Sequence, residues 1–107
     1  MQWSVEALAA AQMEIDALPV GLRARMYRLM AMIESYGLEQ MREPHVKHLG
    51  GKLWELRAKA AEGIARGLYV AVERRRVVLL HVFEKKSEKT PLRALSLARA
   101  RMKEISR

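Results

Sequence analysis

The 107 residues include no cysteine, 20 lysines and arginines, 12 aspartates and glutamates, and a formal net charge of +8. Without cysteine the chain has no thiolate zinc site, thiol nucleophile or disulfide framework, and its length suits one domain over residues 1–107 built on a single hydrophobic core. Residues 1–53 hold six basic and six acidic side chains, so the whole excess charge follows Leu53, the distribution of a polyanion-binding face.

Nucleic acid is the first candidate partner for such a face, with acidic lipid headgroups or an acidic protein as alternatives. No apolar stretch approaches the ~18 residues that span a bilayer, and no basic residue precedes an apolar run near Met1. A cytoplasmic protein with no membrane partner is therefore expected.

Trp3 to Glu6 alternates apolar and polar residues and suggests a short edge strand, and Ala7 to Leu18 has a helical pattern. Pro19 and Gly21 interrupt the chain. Leu22, Met26, Leu29, Met30 and Ile33 then recur at helical spacing until Gly37, which predicts an amphipathic helix. Arg23, Arg25 and Arg28 fall mostly off this stripe and read as a solvated helix face rather than an RNA contact. Leu38 to Lys52, with Pro44, His45, His48, Gly50 and Gly51, reads as a loop.

The period then changes to two. Leu53 to Ala58 places Trp54 and Leu56 on a core face and Glu55 and Arg57 on a polar one. Ile64 to Glu73 and Val77 to Phe83 are apolar on both faces over their middles, as expected of central strands. Arg74, Arg75 and Arg76 join them in a tight hairpin with a charged tip. Thr90 offers an N-cap and Pro91 a first helical residue for a last helix carrying the stripe Leu92, Leu95, Ala98, Met102 and Ile105. There are no repeats or long linkers.

The chain has no Gly-rich phosphate loop, nucleophile elbow or HExxH motif. His45 and His48, with no neighbouring thiolate, make a poor metal site, so neither metal nor cofactor is expected. His81, between Leu80 and Val82, reads first as a hydrogen-bonded core histidine and in reserve as a base. What remains is cationic. If the strands pair antiparallel in chain order, Arg57 at the end of one, Arg66 at the polar start of the next, and Lys85 and Lys86 after the last meet at one edge. Four cations there repel one another unless a polyanion or solvent screens them. The competing reading is a solvated basic rim with salt bridges to Glu55, Glu84 and Glu88.

The segment Leu53-Trp54-Glu55-Leu56-Arg57, then Gly63 to Tyr69 with Arg66, then VVLLHVFEKKSEKTP from Val77 to Pro91 resembles the phage-type HigB branch of the RelE/ParE toxin superfamily. A helix ending near Gly37, followed by Pro44, Val46, Lys47 and Leu49, fits the same pattern, so the resemblance covers most of the chain. It implies an α+β fold, with two N-terminal helices on a three- to four-stranded antiparallel sheet and a C-terminal helix. It also implies mRNA cleavage in the ribosomal A site and restraint by a helix-turn-helix antitoxin, which makes the ribosome, mRNA and that antitoxin the expected partners.

By position, Arg66 matches the arginine such nucleases set near the scissile phosphate, Lys86 falls where relatives carry a second arginine, and Arg57 and Lys85 match flanking basic positions. Several relatives begin the last helix with a tyrosine where this chain has Pro91 and Leu92, so the general acid or base is not assigned by the resemblance. Lys85 or Lys86 is the expected proton carrier, because a lysine crowded by other cations releases its proton more readily. Lys89, Arg93, Arg99 and Arg101 are expected to meet RNA by charge. Tyr69 and Phe83 are candidates for base stacking, with core packing the competing role for both. The alternatives to a nuclease are a ParE-like DNA gyrase inhibitor and a non-catalytic nucleic-acid-binding phage protein.

Overall fold

Period-two segments and helical stripes assemble around one five-stranded sheet in a computed structural model that describes residues 2–86 and 89–105. In chain order the elements are β1 (Ser4–Ala7), α1 (Ala9–Asp16), α2 (Val20–Tyr36), a 3-10 turn (Leu38–Gln40), β2 (Val46–Gly50), β3 (Leu53–Ala60), β4 (Gly63–Val72), β5 (Arg76–Glu84) and α3 (Leu92–Ile105). The sheet order is β1-β5-β4-β3-β2. The α+β class expected from the sequence holds, but the sheet has five strands and is mixed. β2 to β5 form an antiparallel meander, and β1 adds to β5 in parallel, from Ser4 opposite Arg76 to Ala7 opposite Leu79.

β1 is the short edge strand suggested at Trp3 to Glu6, set one residue later, whereas β2 is too short to show a clear period. Within the segment read as a loop, β2 buries only Val46, and a register irregularity between His48 and Gly50 breaks its alternation. The charged hairpin tip behaves as expected: Arg74 and Arg75 adopt φ of 64° and 54°, the left-handed conformation that a tight two-residue turn demands.

α1 and α2 cover one face of the sheet. Ala11, Ile15, Leu22, Met26, Leu29 and Ile33 are buried against Leu56, Ala58, Tyr69, Val77 and Leu79. The predicted stripe of α2 is therefore its core side, and a fully buried leucine such as Leu29 contributes about 1.5–3 kcal/mol by leaving water. No side chain of its own caps α2. The Glu62 carboxylate, from the β3–β4 turn, accepts the Gly21 amide at 2.8 Å and places negative charge at the helix N-terminus. Gly37, at φ 93°, ends the helix where its sequence position indicated.

α3 covers part of the other face, with Ala94 and Ala98 against Leu53, Leu68, Val70, Val78 and Leu80. Leu92 departs from the expected stripe: it is 81% exposed, because the helix contacts the sheet only from Ala94 onward.

Candidate nucleic-acid interface

The β3–β4–β5 register sets two rows across the α3 side of the sheet. Arg57 lies opposite Arg66, which lies opposite Phe83; one step along, Glu55 lies opposite Leu68, which lies opposite His81. Arg57, Arg66 and Lys85 thus converge at one end of the sheet, as the chain-order argument required. What that argument did not contain is the carboxylate between them.

Glu55 is fully buried. Its Oε1 accepts Arg57 Nε at 2.8 Å, and its Oε2 lies 3.3 Å from Arg66 Nη1. Thr90, in the approach to α3, donates its hydroxyl to Glu55 Oε2 at 2.8 Å and accepts from Arg66 Nη1 at 2.9 Å. The polar face expected for Glu55 and the polar start expected for Arg66 are consequently interior, with Arg66 1% exposed. Thr90, shortly before α3, lies against both. Thr90 spends its hydroxyl on this cluster rather than capping the helix. A buried ion pair survives desolvation only when its remaining polar atoms are bonded, and Thr90 contributes to that.

One carboxylate faces two guanidinium groups, so Glu55 meets part of the repulsion anticipated among four cations and leaves a net positive charge. That charge reaches solvent through Arg57, which is half-buried. Lys85 is half-buried, with its amide bonded to the Ile64 carbonyl at 2.7 Å, and Lys86, Lys89 and Arg93 are exposed. Glu84 is half-buried at the end of β5, and Glu88 lies outside the described residues.

Phe83 is half-buried beside Arg66 and stacks on His81, with ring centroids 5.0 Å apart and planes 25° apart. Tyr69 lies on the opposite face, 1% exposed in the core beneath α1 and α2, and burial pushes its phenol well above its ordinary range. It packs and presents no ring to the cation row, which corrects its candidacy as a stacking surface.

His81 belongs to a second carboxylate cluster. Its Nδ1 lies 3.0 Å from Glu14 Oε1, Arg101 donates to both oxygens of Glu14 at 3.0 Å, and the Val82 amide donates to it at 3.0 Å. Arg101 also donates to the Leu80 carbonyl at 2.9 Å. These contacts cover the edge of β5 beyond the point where β1 stops pairing. Arg101, expected on an RNA-facing surface, is thereby drawn into the edge of the sheet. Burial alone would raise the Glu14 pKa, but the hydrogen bonds from Arg101, Val82 and His81 outweigh it and hold the carboxyl below its usual range.

The row opens to solvent at Arg57, Lys85 and Lys86, with Arg66 beneath it. A groove of about 680 Å³ lies at the far end of the sheet between Trp54, Val72, Arg76 and Met102. An open row of cations suits an extended polymer better than a small molecule. His48 Nε2 bonds the Gly51 carbonyl at 2.8 Å and stacks near Trp54, and among the described residues no three histidine, aspartate or glutamate side chains group to hold a metal. Nor is any helix of the described residues long and apolar enough to cross a membrane.

Sequence reasoning named Glu55 only as a surface salt-bridge partner, Thr90 only as a cap, and Glu14 not at all. The signal for Glu55 was present in its spacing of two from Arg57, which puts both on one strand face. Nothing local marks Glu14 or Thr90, whose partners lie 67 and 35 residues away in the chain.

Comparison with known proteins bears on this geometry. Residues 13–103 match the family described as phage-derived protein Gp49-like. Among solved structures, an arginine-to-alanine double mutant of Escherichia coli toxin RelE in the free state superposes with a TM-score of 0.67 at 16% identity, covering 95% of this chain and 99% of that one. The archaeal RelE–RelB complex from Pyrococcus horikoshii gives 0.60 at 18% identity over 80% and 98% of the two chains. The RelBE2 toxin–antitoxin complex from Mycobacterium tuberculosis gives 0.53 at 19% over 81% and 95%. Among curated proteins no relative matches the chain. The fold is that of the RelE toxins, as the resemblance to the RelE/ParE superfamily implied, and the chain belongs to the phage-derived Gp49-like family.

Proposed function

We propose that the protein is the toxin of a toxin–antitoxin pair and cleaves translated mRNA in the ribosomal A site without a metal. The observation that carries this reading is the opposition of Arg57 and Arg66, held together by buried Glu55 beside a half-buried Phe83 and the lysines that follow β5. The RelE-type fold and the antitoxin complexes formed by two structural neighbours support it.

In the reaction, the 2′-oxygen of one nucleotide forms a bond to the adjacent phosphorus, and the bond to the 5′-oxygen breaks. The 2′-hydroxyl loses a proton, the leaving oxygen gains one, and negative charge grows on the non-bridging oxygens. Arg66 and Arg57 meet that charge. A guanidinium fork binds two oxygens at once, and a preorganised donor of this kind is worth roughly 10²–10³ in rate. Glu55 and Thr90 act through the arginines as positioning residues. A phosphate oxygen takes the place of the Thr90 hydroxyl on Arg66 Nη1. Lys86, exposed at the end of β5, and Lys85 carry the protons, and Phe83 offers a ring edge to a base. The partner that silences the protein is a helix-turn-helix antitoxin that covers this row.

Mapping the 5′ ends of cellular mRNA after brief induction tests the reading. Cuts in frame within translated codons are expected, and they should disappear in the double variant Arg66→Ala, Lys86→Ala. An unchanged transcript pattern with the wild-type chain, or growth arrest that survives the double change with the fold intact, would overturn it.

A further inference from the structure

A second set of cations lies round the edge of the sheet from the first. Arg25 and Arg28 on α2 and Lys59 near the end of β3 line a shallow groove of about 670 Å³ with Tyr27 and the backbone at Gly21. Among the described residues, Arg25, Arg28 and Lys59 make no ion pair, whereas Arg57, Arg66, Arg76 and Arg101 each have a carboxylate partner. The nearby Glu62 carboxylate is engaged by the Gly21 amide. With the Glu62 carboxylate at one end, the three cations still leave the groove net positive, an arrangement that favours an incoming polyanion.

Three further features define what fits there. The ring of Tyr27 is 40% exposed, and its hydroxyl is fixed by the Gln12 amide at 2.7 Å and by Asp16 at 3.4 Å, so a flat surface is held ready beside the charges. The described ladder between β2 and β3 ends at Val46 opposite Leu56, after which the Arg57 amide reaches the His45 carbonyl. By the two-residue period of a strand, the Lys59 amide points out of that same edge, adding a backbone donor. Lys59 also lies two residues beyond Arg57 on one strand, so the groove continues the cation row around the end of β3 rather than forming an isolated patch.

We propose that this groove binds the phosphate backbone of structured RNA, docking the protein on a folded RNA while the Arg57–Arg66 row addresses the strand to be cut. The proposal rests on reading the chain as an RNA-acting protein. Spaced cations, a stacking ring and continuity with the cation row suit a phosphodiester chain. An anionic lipid surface would meet the charges but offers no base to stack on Tyr27.

Binding of a fluorescent RNA hairpin at several salt concentrations tests it, comparing wild type with the triple variant Arg25→Ala, Arg28→Ala, Lys59→Ala. The variant should bind about 10- to 100-fold more weakly, with a slope of log K against log salt shallower by about two to three, one unit or slightly less per lost phosphate contact. Swapping the cations (Arg25→Lys, Arg28→Lys, Lys59→Arg) should restore most of the slope, which separates charge from folding. Affinity and slope equal to wild type in the alanine variant would overturn the proposal. So would dependence on these residues seen only with phosphatidylglycerol vesicles and not with the hairpin. Loss of hairpin binding in the variant, in a protein whose wild type leaves mRNA uncut, would retain the groove and remove the nuclease reading.

Discussion

Two carboxylates, Glu55 and Glu14, each grip two basic side chains, and the two clusters differ in what else they touch. Glu14 holds His81 and Arg101, but it also accepts the Val82 amide, while Arg101 closes the Leu80 carbonyl. Its charges finish a strand edge. Glu55 holds Arg57 and Arg66, and its remaining described hydrogen bond is to the Thr90 hydroxyl, again a side chain. Where ionic groups satisfy backbone atoms they belong to the fold, and a ligand that drew them away would open the sheet. Where their described hydrogen bonds run between side chains, a phosphate can replace part of the set and leave the ladder intact. This contrast supports the proposed chemistry at the Glu55 cluster and an architectural role for Glu14.

The comparison can be broken or sharpened by mutation. The largest stability effect is expected at Glu55→Ala, which leaves Arg66 buried without its carboxylate. A loss of about 3–5 kcal/mol in urea unfolding is expected, and cleavage should fall with it because both arginines lose their anchor. Glu14→Ala should cost about 2–3 kcal/mol by stranding the Val82 amide and two basic groups.

Glu14→Gln refines this through pH. The folded-state pKa of Glu14 is depressed, so its stabilisation is complete above the unfolded value near 4.5 and drains away as pH falls through the folded value. The stability gap between wild type and Glu14→Gln should therefore narrow below about pH 4.5. A gap that stays constant across that range would mean that charge is not what Glu14 contributes. Cutting of mRNA by Glu14→Gln at neutral pH should stay within a few fold of wild type, and a collapse matching that of Glu55→Ala would erase the distinction between the clusters. The smallest effect is expected at Thr90→Val, about 1 kcal/mol from the lost hydroxyl contacts. Thermal melts alongside cleavage assays would register both.

Much of the fold was legible because its long segments bury one face each. The α2 stripe from Leu22 to Ile33, the alternation from Leu53 and the apolar middles of β4 and β5 carry their periods openly. β2 escaped, since five residues with one buried side chain hold no period; the edge strand suggested at Trp3 to Glu6 forms one residue later as β1, but its parallel pairing depends on a strand some 70 positions away. At the candidate site, strand order alone brought Arg57, Arg66 and Lys85 to one end. The burial of Arg66 and Glu55 was hidden because polar residues on an alternating strand read as solvent-facing, and the contact from Thr90 is made 24 and 35 residues away in the chain. The role of Thr90 was obscured by chemistry common to two tasks, since a hydroxyl before Pro91 serves a helix cap as readily as a carboxylate.

The sheet order also governs when the molecule comes into being. As the chain emerges during synthesis, β2, β3 and β4 can pair in sequence, but β1 must wait for β5, whose Arg76–Leu79 segment lies about seventy residues downstream. Phe83, Lys85 and Thr90, which complete the cation row, arrive later still. A nascent chain therefore has neither its first strand seated nor its row assembled until the residues through Thr90 have been made. A ribosome synthesising this protein is shielded by the topology itself from the activity proposed for the finished fold.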